Sequence, residues 1–240
     1  MQMTNIVPRM SPLQNLEAGL ARLEVVFLPK QKRMPPETYS DDELTSAKAY
    51  LVFAHAELED YLEACCRAKA ERALETLVSN GTACITALSL ISHFGVNLTI
   101  ASEIAKYQEN NTKLAPDFPK YNSNVTRPLL SRLKNAVSSY TEQCRKNNGV
   151  KETNLLQLLS PLGVSPLAMD SAWIAEINAF GVERGSHAHR GLAGVQQISD
   201  PFLSQQRLTW ILDGPPGSTP PLGSTVNIFS LRSLDKYLAA

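Results

Sequence analysis

The chain lacks an excess of charge of either sign. Lysine plus arginine and aspartate plus glutamate both total 23 in 240 residues. That balance excludes a protein that coats nucleic acid by bulk electrostatics, though not a local site that handles one phosphate at a time. Cysteine is scarce. Cys65, Cys66, Cys84 and Cys144 are the four. None has the C-x2-C spacing of a metal site, and a vicinal pair is a poor start for a disulfide framework. Cys65 and Cys144 fall on apolar helical positions and read as small core residues, as suits a reducing cytosol. There is no apolar signal core at the N-terminus and no apolar run of membrane-spanning length, so the expectation is a cytoplasmic protein without a membrane partner. Repeats of solenoid length are missing. So is any set of alternating strands that would build a sheet. Histidine is rare, with four in the whole chain.

What remains is a series of helix signals. Ser11 can cap a helix over 12–28, with Pro12 at its first position, and Leu13, Leu16, Leu20, Leu23 and Phe27 form an apolar stripe. Pro29 ends it, and 30–39 reads as a basic linker. Ser40 and Glu43 form a capping box for the longest helix, 41–79, which Asn80-Gly81 stops. Its stripe is Leu44, Ala47, Leu51, Ala54, Leu58, Tyr61 and Cys65. His55 and Glu59 share one edge of that stripe, four residues apart, and Glu57 lies on the other edge. Asp60 and Glu63 point away and read as solvated. Further helices are expected over 82–93, 98–107, 126–146 and 155–159, with a long polar loop at 108–124. The basic residues of 126–146 read as a solvated face. His55 and His93 read as helix-face residues.

A helix from about 166 or 170 carries Trp173, Ile177 and Phe180 on its buried face and runs into 180–191. That segment holds two of the four histidines, three charges and three glycines. After it, 202–212 is helical or extended, 213–224 is a loop with four prolines and three glycines, and 231–238 is a short helix. The fold class is all-α, a helical bundle. Three regions are expected: an N-terminal helix and linker (1–39), a helical domain (40–200) and a C-terminal extension (201–240).

Arg184 carries the chemistry. Continued helically, the stripe of Trp173, Ile177 and Phe180 places this arginine in the middle of the same face. A charge there is unfavourable unless it is paired or lines a cleft. Glu59 and Glu57 are candidate partners across the bundle. His187 falls on the flank near Arg184, and His189 lies about 140° around. Gly185 can admit a bend between them. His187-x-His189 lacks a third ligand, so a metal site is not expected.

Arg184 and His189, with Ala188 before the histidine, resemble the R-x4-6-H motif of the HEPN superfamily (higher eukaryotes and prokaryotes nucleotide-binding). The stretch Ala54-His55-Ala56-Glu57-Leu58-Glu59-Asp60-Tyr61-Leu62-Glu63 resembles an early helix of its RiboL-PSP-HEPN branch. The likeness spans roughly 40–190. It departs at Gly185, where many members have a polar residue, a role that Ser186 or His187 would take over. The resemblance implies a bundle of HEPN type and a metal-independent, cofactor-free endoribonuclease. Arg184 would hold the scissile phosphate, and His189 would exchange a proton with the ribose 2′-hydroxyl or the leaving oxygen. His187 and Ser186 would be auxiliary. It also implies a homodimer with a composite two-fold site, RNA as substrate, and a toxin or phage-defence effector, with an antitoxin as a further partner. The alternative is a non-catalytic helical scaffold in which Arg184 makes a structural ion pair.

Overall fold

The computed structural model describes residues 10–34, 37–94, 126–190, 200–217 and 227–239, with the side chains of 126–128 and 186–190 left aside. The fold is an all-α bundle. Its α-helices are α1 (Pro12–Phe27), α2 (Asp41–Asn80), α3 (Ile85–Phe94), α4 (Thr126–Arg145), α5 (Glu152–Leu159), α6 (Ser171–Arg190), α7 (Leu203–Asp213) and α8 (Leu231–Ala239). Extended backbone pairs, among the described residues, at one isolated parallel bridge between Met169 and Ile228.

The local signals explain where the helices begin and end. Ser11 accepts from the Gln14 N–H, and Gln14 answers to the Ser11 N–H at 2.8 Å, a reciprocal capping box. Ser40 and Glu43 do the same for α2, where the Ser40 N–H reaches Glu43 Oε2 at 2.7 Å. Gly81 ends α2 at φ 68°, with its N–H on the Leu77 carbonyl. Asp170 caps α6 by accepting from the Trp173 N–H at 2.9 Å. The undecided stretch after Pro201 is helical, as α7. The helix expected over 98–107 and the loop expected over 108–124 lie outside the described residues.

The chain forms two compact units: Met1–Cys65, Asn148–Leu155 and Leu167–Ala240 in the first, and Cys66–Asn147 with Leu156–Pro166 in the second. The N-terminal helix and the C-terminal α7 and α8 thus belong to the same unit as α6. In this first unit Leu16, Leu20, Leu51, Leu58, Trp173 and Phe180 are among the buried side chains. Burying a side chain of this size contributes roughly 1.5–3 kcal/mol. Polar pins fix the packing. Trp173 Nε1 donates to the Ile211 carbonyl at 3.0 Å, and the Tyr61 hydroxyl bonds Asp235 at 3.0 Å. Arg207 joins Glu183 at 2.6 Å and Glu176 at 3.4 Å. Arg232 joins Asp213 at 2.6 Å and also reaches Glu17.

In the second unit α3 packs on α4. The sequence pattern of this helix sets Leu130, Leu133, Val137, Tyr140 and Cys144 on one stripe; the last four are buried and Leu130 is half-buried, and Tyr140 donates to the Leu158 carbonyl at 2.6 Å. Arg145 and Lys146, at the end of that stretch, face Glu142. Cys65, Cys66 and Cys144 are buried thiols, and no disulfide joins any of the four cysteines.

Candidate functional site

Three elements of the first unit converge around His55: α2, α6 and the segment just before α5. The α2 stripe buries Ala54 and Leu58, so the next position round the helix, His55, is drawn in with them and is 2% exposed. Its ring stacks on Phe180 of α6, with centroids 5.9 Å apart and planes 18° from parallel. Nδ1 sits 3.7 Å from Glu59 Oε2, one turn along α2, and makes no hydrogen bond. Burial is the main reason the imidazole titrates low, at about 4. The positive charges of Arg184 and Lys151 push the same way. His55 is therefore neutral at pH 7 and a weak base, poorly matched to proton transfer near neutrality. Its part is to fill space beside the charged groups.

Arg184 stands where the helical stripe directs it. Trp173, Ile177 and Phe180 are all fully buried, and the arginine follows on the same face, half-buried. Its Nε is shielded from solvent with no hydrogen-bond partner. The guanidinium charge stabilises the Glu59 carboxylate, as does the Gly149 N–H that bonds it. Burial of Glu59, with the nearby Glu63 charge, outweighs both, so its carboxyl titrates above the usual range. Glu63 is thus electrostatically joined to the cluster rather than simply solvated, because it lies one further turn along the Glu59 side of α2.

The two candidate partners of Arg184 part company. The Glu57 carboxylate is directed at α1, close enough that a Cβ on Gly19 would lie 2.7 Å from its Oε2. It is Glu59 that the Arg184 charge acts on. The expected bend at Gly185 is absent: α6 runs without interruption through it to Arg190. A glycine lowers helix stability but does not break the i→i−4 ladder, and no described residue crowds this one. In an unbroken helix position 187 lies about 60° from position 184, and position 189 about 140°. Ser186, His187 and His189 occupy the last turn of α6, and their side chains lie outside the described residues.

Lys151 and Gly149 carry no motif, and sequence reasoning passes over them. His55 was visible as a helix-face residue four positions from Glu59, not as a buried group of the site. Two nearby glutamates, Glu176 and Glu183, belong to a different network, the one around Arg207. Among the described residues no group of three or more His, Cys, Asp or Glu side chains is placed to hold a metal ion. No single helix there is long and apolar enough to cross a membrane.

Compared with models of known protein families, with curated proteins and with solved structures, the chain matches none. The class that the fold and this cluster define is an all-α protein with a half-buried arginine and glutamate around a buried histidine.

Proposed function

We propose that the chain is a metal-independent endoribonuclease of the HEPN type, acting in the cytoplasm as a toxin or phage-defence effector. In this reading its site is completed across a two-fold homodimer. The observation that carries it is Arg184: a guanidinium on an otherwise apolar face, half-buried, with one buried N–H unsatisfied. Such a group is unfavourable in a free chain. It becomes useful where an anionic oxygen arrives to accept from it. Arg184 holds the scissile phosphate and offsets the charge that builds on it. The motif histidine, His189, takes the proton from the ribose 2′-hydroxyl or delivers one to the leaving oxygen, with His187 and Ser186 auxiliary. The 2′-oxygen attacks phosphorus, the 5′-oxygen leaves, and the product carries a 2′,3′-cyclic phosphate. Dependence on the 2′-hydroxyl confines the reaction to RNA.

The test is cleavage of RNA in EDTA by the full chain, beside Arg184→Ala and His189→Ala variants checked for fold. Loss of cleavage in folded variants supports the reading. Intact RNA after incubation with a verified dimer sinks it. A series in which His187→Ala abolishes cleavage and His189→Ala does not reverses the histidine assignment, in the direction that an unbroken α6 favours.

A second reading draws on the attraction between Arg184 and Glu59. There Arg184 is a structural ion pair in a helical scaffold. Arg184→Ala then lowers stability or dimer mass, and the wild type has no nuclease activity to lose.

A further inference from the structure

Two local rules of helix chemistry are broken at one contact beside Arg184. Glycine destabilises a helix interior relative to alanine, yet Gly181 sits in the middle of α6, buried. Lysine is a poor residue immediately before a helix, where capping side chains and negative charge are favoured. Lys151 is nonetheless the residue before α5, and its carbonyl receives the Leu155 N–H at 2.9 Å. The two residues touch. A Cβ on Gly181 would lie 2.8 Å from Lys151 Cγ, whereas the nearest Lys151 backbone atom is 3.4 Å away. The missing methyl therefore makes room for the lysine stem rather than for the backbone.

The stem laid across α6 brings a second cation to the cluster. Lys151 is exposed, so its ammonium is reachable from solvent. Its charge and that of Arg184 both bear on the buried His55 ring. Two cations from separate elements thus act on one neutral imidazole that is 2% exposed and whose Nδ1 has no hydrogen bond. Cations so gathered repel each other until an anion lies between them. Glu59 is the resident carboxylate, with Glu63 behind it.

We propose that Lys151, seated by Gly181, is a second phosphate-holding residue beside Arg184, and that the pair clamps one phosphodiester group of single-stranded RNA. The identity of the ligand rests on the ribonuclease reading. Lys151 acts as a point charge at the rim, and Arg184 supplies directional N–H donors. The phosphate competes with Glu59 for Arg184. Gly181 is a positioning residue.

The experiment is fluorescence anisotropy with a short 2′-O-methyl oligoribonucleotide, which cannot be cleaved through its blocked 2′-oxygen, over a series of salt concentrations. Lys151→Met is expected to weaken binding about tenfold and to lower the salt slope by about 0.7, one phosphate contact on a single strand. Lys151 is exposed, so this variant keeps the fold, and Lys151→Arg restores both quantities. Gly181→Ala retains the charge but displaces the stem. It is expected to weaken binding roughly threefold, in a variant whose cooperative urea unfolding shows that it folds despite the shift forced on Lys151 Cγ. If the wild type cleaves RNA while Lys151→Met and Gly181→Ala keep its affinity and salt slope, the Lys151 assignment is overturned and the ribonuclease reading survives. A wild type that neither binds nor cleaves RNA overturns both.

Discussion

Acid titration of His55 gives the sharpest check on the cluster. The ring titrates at about 4 in the folded chain against 6.5 when unperturbed, chiefly because it is buried. As pH falls through 6.5 the unfolded chain takes up a proton that the folded chain refuses. The unfolded state then binds more protons, so stability declines with falling pH. The decline starts near pH 6.5 and ends near pH 4, where the folded ring also protonates. At pH 4.5 the lost stability is about 2–3 kcal/mol, from the 1.4 kcal/mol that accompanies each unit of pKa difference. No discount for solvent is needed, since the residue is 2% exposed. Glu59 works in the opposite sense. Its carboxyl is raised by burial and by Glu63, so the folded chain accepts that proton first and gains stability in acid. The two groups are 3.7 Å apart and coupled, so the clean measurement is a double-mutant cycle. Urea unfolding of the wild type, His55→Gln, Glu59→Gln and the double variant at pH 7.5 and 4.5 is expected to assign the acid loss to His55. If His55→Gln loses stability between these pH values as steeply as the wild type, the imidazole is not held neutral by its surroundings and the account fails.

The remaining predictions follow from the same contacts. Arg184→Gln removes one of the two cations that depress His55, so its NMR titration midpoint should rise from about 4 toward, without reaching, 6.5; an unchanged midpoint would place Arg184 too far away. Phe180→Ala deletes a fully buried ring and the stack on His55, with an expected loss of about 3–5 kcal/mol in urea unfolding; a loss under about 1 kcal/mol contradicts the core described. Gly163→Ala puts a side chain at φ 86°, with its Cβ 3.3 Å from Ile85 Cγ2, and should cost about 1 kcal/mol or more; a stabilised variant contradicts that turn.

Much of the fold was legible because its signals are local. Ser11 with Gln14 and Ser40 with Glu43 announce helix starts through atoms three residues apart, and Asn80-Gly81 announces a stop through the backbone freedom of glycine. The stripe of Trp173, Ile177 and Phe180 led to Arg184 because helical periodicity fixes which positions share a face. The same periodicity separated Glu59 from Glu57, and the structure turns the latter toward Gly19. It could not say which edge of α2 meets α6. That is decided by how helices distant in sequence pack, and no spacing along one helix encodes it.

The unread part of the site is of this second kind. Taken alone, Gly181 is a weak point in a helix, and Lys151 is one more exposed charge. Each is a poor local choice, and each becomes intelligible only through the other: a Cβ on the glycine would lie 2.8 Å from Lys151 Cγ, where the lysine stem passes. Breaches of local preference that coincide in space, beside an arginine with an unsatisfied donor, are where local stability is given up for a site. The unbroken course of α6 through Gly185 bears on the same distinction. No described residue lies within 4 Å of a Cβ placed on Gly185, so unlike Gly181 it answers to no neighbour among the described residues. In the proposed two-fold dimer, this open position one residue beyond Arg184 would admit close approach of the second copy.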